Sequence, residues 1–258
     1  MIRRLIKASL VFTVVLSSVF ISFLAHIFAK DRKRRLFWVS RITSFFSNLI
    51  LKVLGVRVYV RNHEKISGGD KNYLIVSNHL SYIDIFVISS IMPSIFIASV
   101  DEVADKFTLG TIAKFGGSVF IERRSRTSLS EEIEIIAGLL RDGLNVVLFP
   151  EGTTSNGEHV LSFKAPFLTP AIKSNIDILP VCIKYSKIDG ECVNEKNRDL
   201  VFYYGDMKFF GHFFKILSIK SVDIELIGLE NIKINPSLSR KEVANLAFDS
   251  INIAYRLL

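Results

Sequence analysis

The chain reads as an α/β protein: a mostly parallel sheet flanked by helices, preceded by an N-terminal membrane helix and an amphipathic helix. Three observations lead there. From residue 73 to residue 185 short apolar runs alternate with longer helical stretches, the pattern that builds strand-helix-strand crossovers. Residues 8–29 form a run of 22 without Asp, Glu, Lys or Arg. Behind it, residues 36–54 repeat apolar side chains at steps of three and four, the spacing of one helix face. The 258 residues leave room for one sizeable α/β domain plus an appendage, and 49% hydrophobic content can fill its core. The expected division is 1–55 for the two N-terminal helices and 56–258 for the α/β domain.

As a helix, the uncharged run would extend about 33 Å, enough to cross a bilayer. Arg3, Arg4 and Lys7 give it the basic start of a signal peptide, but the run is long for one, and the basic residues 30–35 replace a small-residue cleavage site. Three cations precede the span and five follow it; that excess keeps the main domain on the cytoplasmic side. A hairpin with the next helix, entering and leaving one leaflet, fits the same residues. In helix 36–54, stopped by Gly55, the stripe is Ile42, Phe45, Phe46, Leu49, Ile50 and Val53. It suits packing on the domain, or lying among headgroups beside Trp38 and the basic cluster, and the two are compatible.

Strands are then expected at 56–60, 73–77, 95–98, 118–121, 146–149 and 178–185, with a polar loop at 67–70. Helices are expected at 82–92, 102–115, 129–141 and 166–174, the third opened by a Ser128 and Glu131 capping box. Beyond these, 201–204 and 222–229 read as strands, 212–217 as a short apolar turn, and 239–258 as a closing helix capped by Ser237 or Ser239.

The net charge of +8, from 33 Lys and Arg against 25 Asp and Glu, suits an anionic membrane surface or anionic substrates; charge alone would serve nucleic acid equally. Cys182 and Cys192 fit neither a zinc spacing nor a thioredoxin motif, and in a cytoplasmic domain they are expected reduced and structural. His26, His63, His159 and His212 lack companions that would make them metal ligands, so no metal site is expected.

The densest chemistry lies in 78–84, Asn-His-Leu-Ser-Tyr-Ile-Asp, between an apolar strand and an apolar helix. His79 falls on the turn, at the carboxyl end of a strand, where α/β folds hold their ligands. With Asp84 in the first helical turn, the carboxylate can accept the proton on one ring nitrogen and leave the other free as a base. The same spacing also suits a plain turn histidine and a helix-start charge favoured by the dipole.

Two later blocks bear on the choice: Gly-Gly-Ser-Val-Phe-Ile-Glu-Arg at 116–123 and Phe-Pro-Glu-Gly-Thr at 149–153, with Ile-Leu-Pro-Val at 178–181 as a fourth feature. In order and approximate spacing they resemble the 1-acyl-glycerol-3-phosphate (lysophosphatidic acid) acyltransferase family of glycerolipid acyltransferases. Its pattern is a His and an Asp separated by four residues, then Gly-x-x-Phe-x-x-Arg, then Phe-Pro-Glu-Gly-Thr. The resemblance covers 78–181 and implies an acyl group moved from acyl-CoA or acyl carrier protein, as co-substrate and with no cofactor, to the free hydroxyl of lysophosphatidic acid, giving phosphatidic acid. It implies His79 and Asp84 as the catalytic pair, and Phe120, Arg123, Glu151, Gly152, Thr153 and Lys164 around the substrate. The partners implied are membrane lipids and a lysophospholipid acceptor, not nucleic acid. The residue after Glu-Gly-Thr is most often Arg in that family and is Thr154 here, closer to the branch that reacylates other lysophospholipids.

In that reaction the hydroxyl belongs to the substrate and His79 is its base, worth about 10²–10⁴-fold. No Gly-x-Ser-x-Gly elbow is present, so direct attack without an acyl-enzyme is expected. Backbone N–H groups at Gly152 and Thr153, or at the start of the helix after His79, would meet the oxyanion. Arg123 would hold a phosphate in a fork and Lys164 add a point charge. Glu151 would bind acceptor hydroxyls or anchor Arg123, and Gly152 supply a tight turn. A lipid-binding protein without catalysis and a thioester hydrolase using the same dyad are the competing functions.

Overall fold

The structure is a computed structural model and describes residues 2–66, 71–99, 118–121, 126–235 and 237–257, with 98–99, 118–121 and 126–128 described by backbone alone. The expected loop 67–70, the helix 102–115, Gly116, Gly117 and Arg123 lie outside the described residues. One sheet is formed by β1 (Val56–Arg61), β2 (Leu74–Ser77), β3 (Ile95–Ser99), β4 (Ser118–Ile121), β5 (Val146–Leu148), β6 (Ile178–Ile188), β7 (Glu191–Cys192) and β8 (Val222–Gly228). Its order is β1-β8-β6-β2-β5-β3-β4, with the two-residue β7 paired to β6. Strands β2 to β6 are parallel. β8 runs antiparallel to β6 and carries β1 parallel to itself, so the sheet is mixed at one end.

The central strands are uninterrupted apolar runs because helices cover both of their faces. Leu74, Ile75 and Val76 of β2 and Val146 of β5 are 0% exposed. Against one face pack α2 (Arg32–Leu54) and α4 (Ile83–Ile91), with α1 (Ile2–Phe28) on α2. The other face carries α5 (Arg126–Arg141), α6 (Thr169–Ser174), which follows a 3₁₀ turn at Ala165–Leu168, and α8 (Arg240–Arg256). A short α3 (His63–Ile66) and the ten-residue α7 (Phe209–Ser218) complete the helices described. The two-sided arrangement follows from chain direction. From β2 the chain passes through α4 to β3, while from the neighbouring β5 it passes through α6 to β6, the opposite way along the sheet. Right-handed crossovers then put α4 and α6 on opposite faces and open a crevice where β2 and β5 end.

The N-terminal helices form an antiparallel pair. Lys7 Nζ donates to Leu54 O at 2.7 Å and to Ile219 O at 2.8 Å, so the start of α1 caps the end of α2 and the end of α7. Gly55, at φ +83°, ends α2, and a Cβ there would collide with the Lys220 carbonyl. The buried stripe of α2 differs from the expected one. Phe46 and Ile50 are buried, but Phe45 is 60% exposed, and Ser40, Thr43 and Ser47 are buried instead. With a neighbour on two sides, α1 and α4, the small side chains mark the close helix contacts and the large aromatic turns outward.

Three further expectations change. Residues 201–204 are not a strand: a 3₁₀ turn at Arg198–Leu200 precedes them, Val201 and Phe202 N–H bond back to Arg198 O, and Tyr203 N–H bonds to Leu80 O. Residues 212–217 belong to α7, whose His212, Ile216 and Leu217 turn inward at helical steps. α5 begins at Arg126, so Ser128 lies within its first turn and not at its N-cap. Ser239 is the N-cap of α8, exchanging bonds with Glu242 in a capping box.

Candidate active site

The site sits where β2 and β5 end, and its first task is to turn the backbone out of the sheet. Asn78 does this by continuing the ladder with its side chain: Nδ2 donates to Ile183 O and Oδ1 accepts from Ile183 N–H, each at 2.9 Å. The chain is then free to place His79 at the rim. Three contacts from other loops fix that residue and the next. The His79 N–H donates to Glu151 Oε1 at 2.8 Å, His79 O accepts from Ser155 N–H at 3.0 Å, and Leu80 O accepts from Tyr203 N–H at 2.9 Å.

Asp84 stands in the first turn of α4 and is 0% exposed. Its Oδ2 lies 2.9 Å from His79 Nδ1 and also accepts the N–H groups of Leu80 and Ser81, at 2.7 and 2.9 Å. Its other oxygen accepts the phenol of Tyr185 at 2.7 Å. Burial and the Asp84 carboxylate hold Tyr185 well above the usual phenol range, so it stays a donor. These donors satisfy the buried carboxylate, which would otherwise lie unpaired in an apolar interior. Its acceptance at Nδ1 sets the imidazole tautomer and leaves Nε2 available to take a proton. Phe149 stacks on the ring, with centroids 3.8 Å apart and planes 10° from parallel, which fixes its tilt.

Glu151, expected against the substrate, bonds through one oxygen to the His79 backbone. It is 3% exposed, and its second oxygen accepts Leu161 N–H at 3.0 Å. Burial pushes its pKa up to about 7, against the lowering effect of the two N–H bonds. Its geometry is that of a clamp between the His79 turn and the 150–161 loop. Gly152 adopts φ +71° and its N–H closes onto Phe149 O at 3.0 Å. A Cβ at Gly152 would lie 2.6 Å from Lys164 Nζ, so the expected Lys164 does reach this turn, and its own N–H bonds to Pro150 O. Thr153 is exposed beside it.

The oxyanion donors expected from the sequence are mostly occupied. Gly152 N–H is spent within its turn, and the N–H groups of Leu80, Ser81, Ile83 and Asp84 hold Asp84 or Ser81. Tyr82 and Thr153 remain from that expectation. Phe120 lies in β4 with its backbone opposite Ala98; its side chain, like the whole of Arg123, is outside the described part of the structure. Ser81 is 0% exposed with its Oγ toward Ile83 N–H, and so is not placed as a nucleophile. Sequence reasoning missed Tyr185, Phe149 and Asn78 as members of the site. Tyr185 is 101 positions from Asp84, so no local spacing could have announced it.

A family model described as acyltransferase matches residues 57–184. The lyso-ornithine lipid O-acyltransferase of Brucella abortus is 32% identical over 214 residues, 80% of this chain and 79% of that protein. The 1-acyl-sn-glycerol-3-phosphate acyltransferase of Neisseria meningitidis is 36% identical over 118 residues, 46% of each chain. In fold, the crystal structure of the 1-acyl-sn-glycerophosphate acyltransferase of Thermotoga maritima aligns with a TM-score of 0.70 at 22% identity, over 99% of this chain and 96% of that one. The chain belongs to the acyltransferase family that includes these lysophosphatidic acid and lyso-lipid acyltransferases. α1 is long and apolar enough to cross a membrane, by length and composition.

Proposed function

We propose that the chain moves a fatty acyl group from a thioester, of coenzyme A or acyl carrier protein, onto the free hydroxyl of lysophosphatidic acid at the cytoplasmic membrane face. The observation that carries the chemistry is the 2.9 Å contact between His79 Nδ1 and a buried, four-times bonded Asp84. The acceptor oxygen attacks the thioester carbonyl carbon as its proton passes to His79 Nε2. The tetrahedral intermediate then collapses, the C–S bond breaks, and the imidazolium returns the proton to the departing thiolate. Burial of Ser81 supports direct transfer without an acyl-enzyme. Thr153 N–H is the donor nearest in sequence to the turn that remains for the oxyanion.

The acceptor reading rests on charge. Lys164 reaches the Gly152 turn, Arg123 ends the Gly-x-x-Phe-x-x-Arg block, and the nearby carboxylates of Glu151 and Asp84 are turned to protein donors. Lys164, with Arg123 as the motif cation, suits a phosphate headgroup. Lyso-ornithine lipid is the second reading, favoured by relatives of that name that match over 214 residues and by Thr154 in place of the common Arg. The test offers purified protein labelled acyl-CoA or acyl carrier protein with lysophosphatidic acid, lysophosphatidylethanolamine or lyso-ornithine lipid. The highest kcat/KM with lysophosphatidic acid supports the proposal, and preference for lyso-ornithine lipid overturns the acceptor reading alone. Free fatty acid regardless of acceptor means a hydrolase, and no turnover means a lipid-binding protein.

A further inference from the structure

Helix α7 carries surface that neither the catalytic reading nor α1 explains. Its sequence, Phe-Phe-Gly-His-Phe-Phe-Lys-Ile-Leu-Ser, places Phe210 and Phe214 four residues apart on one face, where they are 60% and 57% exposed. Lys208, Lys215 and Lys220 rim the helix and are exposed as well. The opposite face is buried in the domain through His212, Ile216 and Leu217. Such a helix, aromatic outward and lysine-rimmed, has the make-up of an interfacial membrane helix.

Two features decide what covers it. First, α7 is continuous with the membrane helix: α1 packs on it, Arg3 donates to Ser218 O, and Lys7 donates to Ile219 O at 2.8 Å. A bilayer reached by the exposed Phe12 and Leu16 of α1 therefore begins beside α7. Second, the rim is lysine-rich: Lys208, Lys215 and Lys220 are exposed, against exposed Asp206 before the helix and Asp189, which accepts the Lys220 N–H. A two-fold contact between copies would bring Lys208 and Lys215 against the same set on the partner, which is repulsive, whereas anionic headgroups complement them.

We propose that α7 is a second membrane-contacting element, seating Phe210 and Phe214 in the leaflet that holds α1, with Lys208, Lys215 and Lys220 at anionic headgroups. This goes beyond the acyltransfer reading and stands whichever lyso-lipid is the acceptor. It also places the bilayer next to the chemistry. The Tyr82 hydroxyl lies 3.1 Å from His212 Nδ1, and the Tyr82 ring packs on Tyr203 and Phe209. Tyr82 itself lies between His79 and Asp84 in the chain, so an acceptor leaving the leaflet at α7 meets this aromatic cluster before His79.

The chain has a single tryptophan, Trp38, which makes fluorescence the direct test. Full-length protein carrying Trp38→Phe with Phe214→Trp, and a second with Phe210→Trp, is bound to phosphatidylglycerol vesicles containing brominated phosphatidylcholine. The reference is Leu246→Trp on α8, an exposed position on the face of the sheet that carries α6. The proposal expects both α7 probes to lose emission to bromolipid as strongly as Trp38 does in the wild type, with Leu246→Trp unaffected. Unquenched α7 probes, with Trp38 quenched, overturn it while leaving attachment through α1 intact. α7 probes shielded from both bromolipid and added iodide would show that a second copy covers the helix, which overturns it too. As an independent check, the double variant Phe210→Ser, Phe214→Ser should raise KM severalfold for an acceptor presented in vesicles and leave KM for a short-chain, water-soluble acceptor unchanged. An equal KM rise for both acceptors, or none for either, contradicts the proposal.

Discussion

Replacing Glu151 with Gln separates the clamp role given by the geometry from a role in binding substrate. In the wild type one carboxylate oxygen accepts His79 N–H at 2.8 Å and the other accepts Leu161 N–H at 3.0 Å. A carboxamide keeps one acceptor and turns an NH₂ donor toward the remaining N–H. A buried donor left without its acceptor costs about 1–3 kcal/mol. If that cost falls on the His79 turn, kcat should drop about tenfold to a hundredfold, since each 1.4 kcal/mol is a factor of ten. KM for both substrates should change little. Steady-state kinetics on vesicle-presented acceptor, with circular dichroism to confirm the fold, read the split. A raised acceptor KM at unchanged kcat would refute the reasoning and return Glu151 to the acceptor hydroxyls. The same residue predicts a pH effect. Burial raises its folded-state pKa from 4.5 to about 7, so between those values the native state holds a proton that the unfolded chain has released. Stability should fall as pH rises through that window and level off above it. Thermal unfolding of wild type against Glu151→Gln from pH 5 to pH 8 should show the difference between them changing in the direction of wild-type loss.

Tyr185→Phe removes the donor to Asp84 Oδ1 and leaves that oxygen buried and unpaired, at a cost of about 1–3 kcal/mol; kcat should fall and the melting temperature should drop. Wild-type values of both would mean that Tyr185 only fills space. Asp84→Asn should lower kcat by about 10⁴ through the wrong imidazole tautomer, as in serine proteases, with membrane binding unchanged; retention of a tenth of the activity or more would rule out that role for Asp84. Gly152→Ala forces a side chain into φ +71° and onto Lys164 Nζ, at a cost of about 1–2 kcal/mol from the left-handed backbone alone; a melting temperature equal to wild type would contradict the strained turn. Thr154→Arg should raise the preference for lysophosphatidic acid over lysophosphatidylethanolamine by about tenfold or more, the worth of one charge-assisted bond; an unchanged kcat/KM ratio would place residue 154 away from the headgroup.

The sheet was legible where burial on both faces writes itself as an apolar run. Leu74 to Val76, Val146 to Leu148 and β6 were found within a residue or two at their starts for this reason. Where apolar residues are buried without a ladder, as at Val201 and Phe202, the same signal gave a strand that does not exist. In α7 the inward His212, Ile216 and Leu217 face away from outward Phe210 and Phe214, so apolar residues lie on both sides and the pattern did not mark it as a helix. The dyad could be read because both members lie in one turn. Its supports could not: Tyr185 comes from β6, Phe149 and Glu151 from the loop after β5, and Tyr203 from a loop before α7. Only the sheet order brings them together. Glu151 was assigned to substrate because a carboxylate in a catalytic motif invites that role, whereas its burial and its two backbone bonds are properties of the packed loop.

The central claim is that His79 is the base that deprotonates a lyso-lipid hydroxyl, and it is tested most directly by the rate of acyl transfer in purified His79→Ala. With labelled acyl-CoA and lysophosphatidic acid in vesicles, kcat should fall by about 10²–10⁴-fold, while the circular dichroism spectrum and vesicle binding match the wild type. Transfer at close to the wild-type rate by a correctly folded, membrane-bound His79→Ala would contradict it.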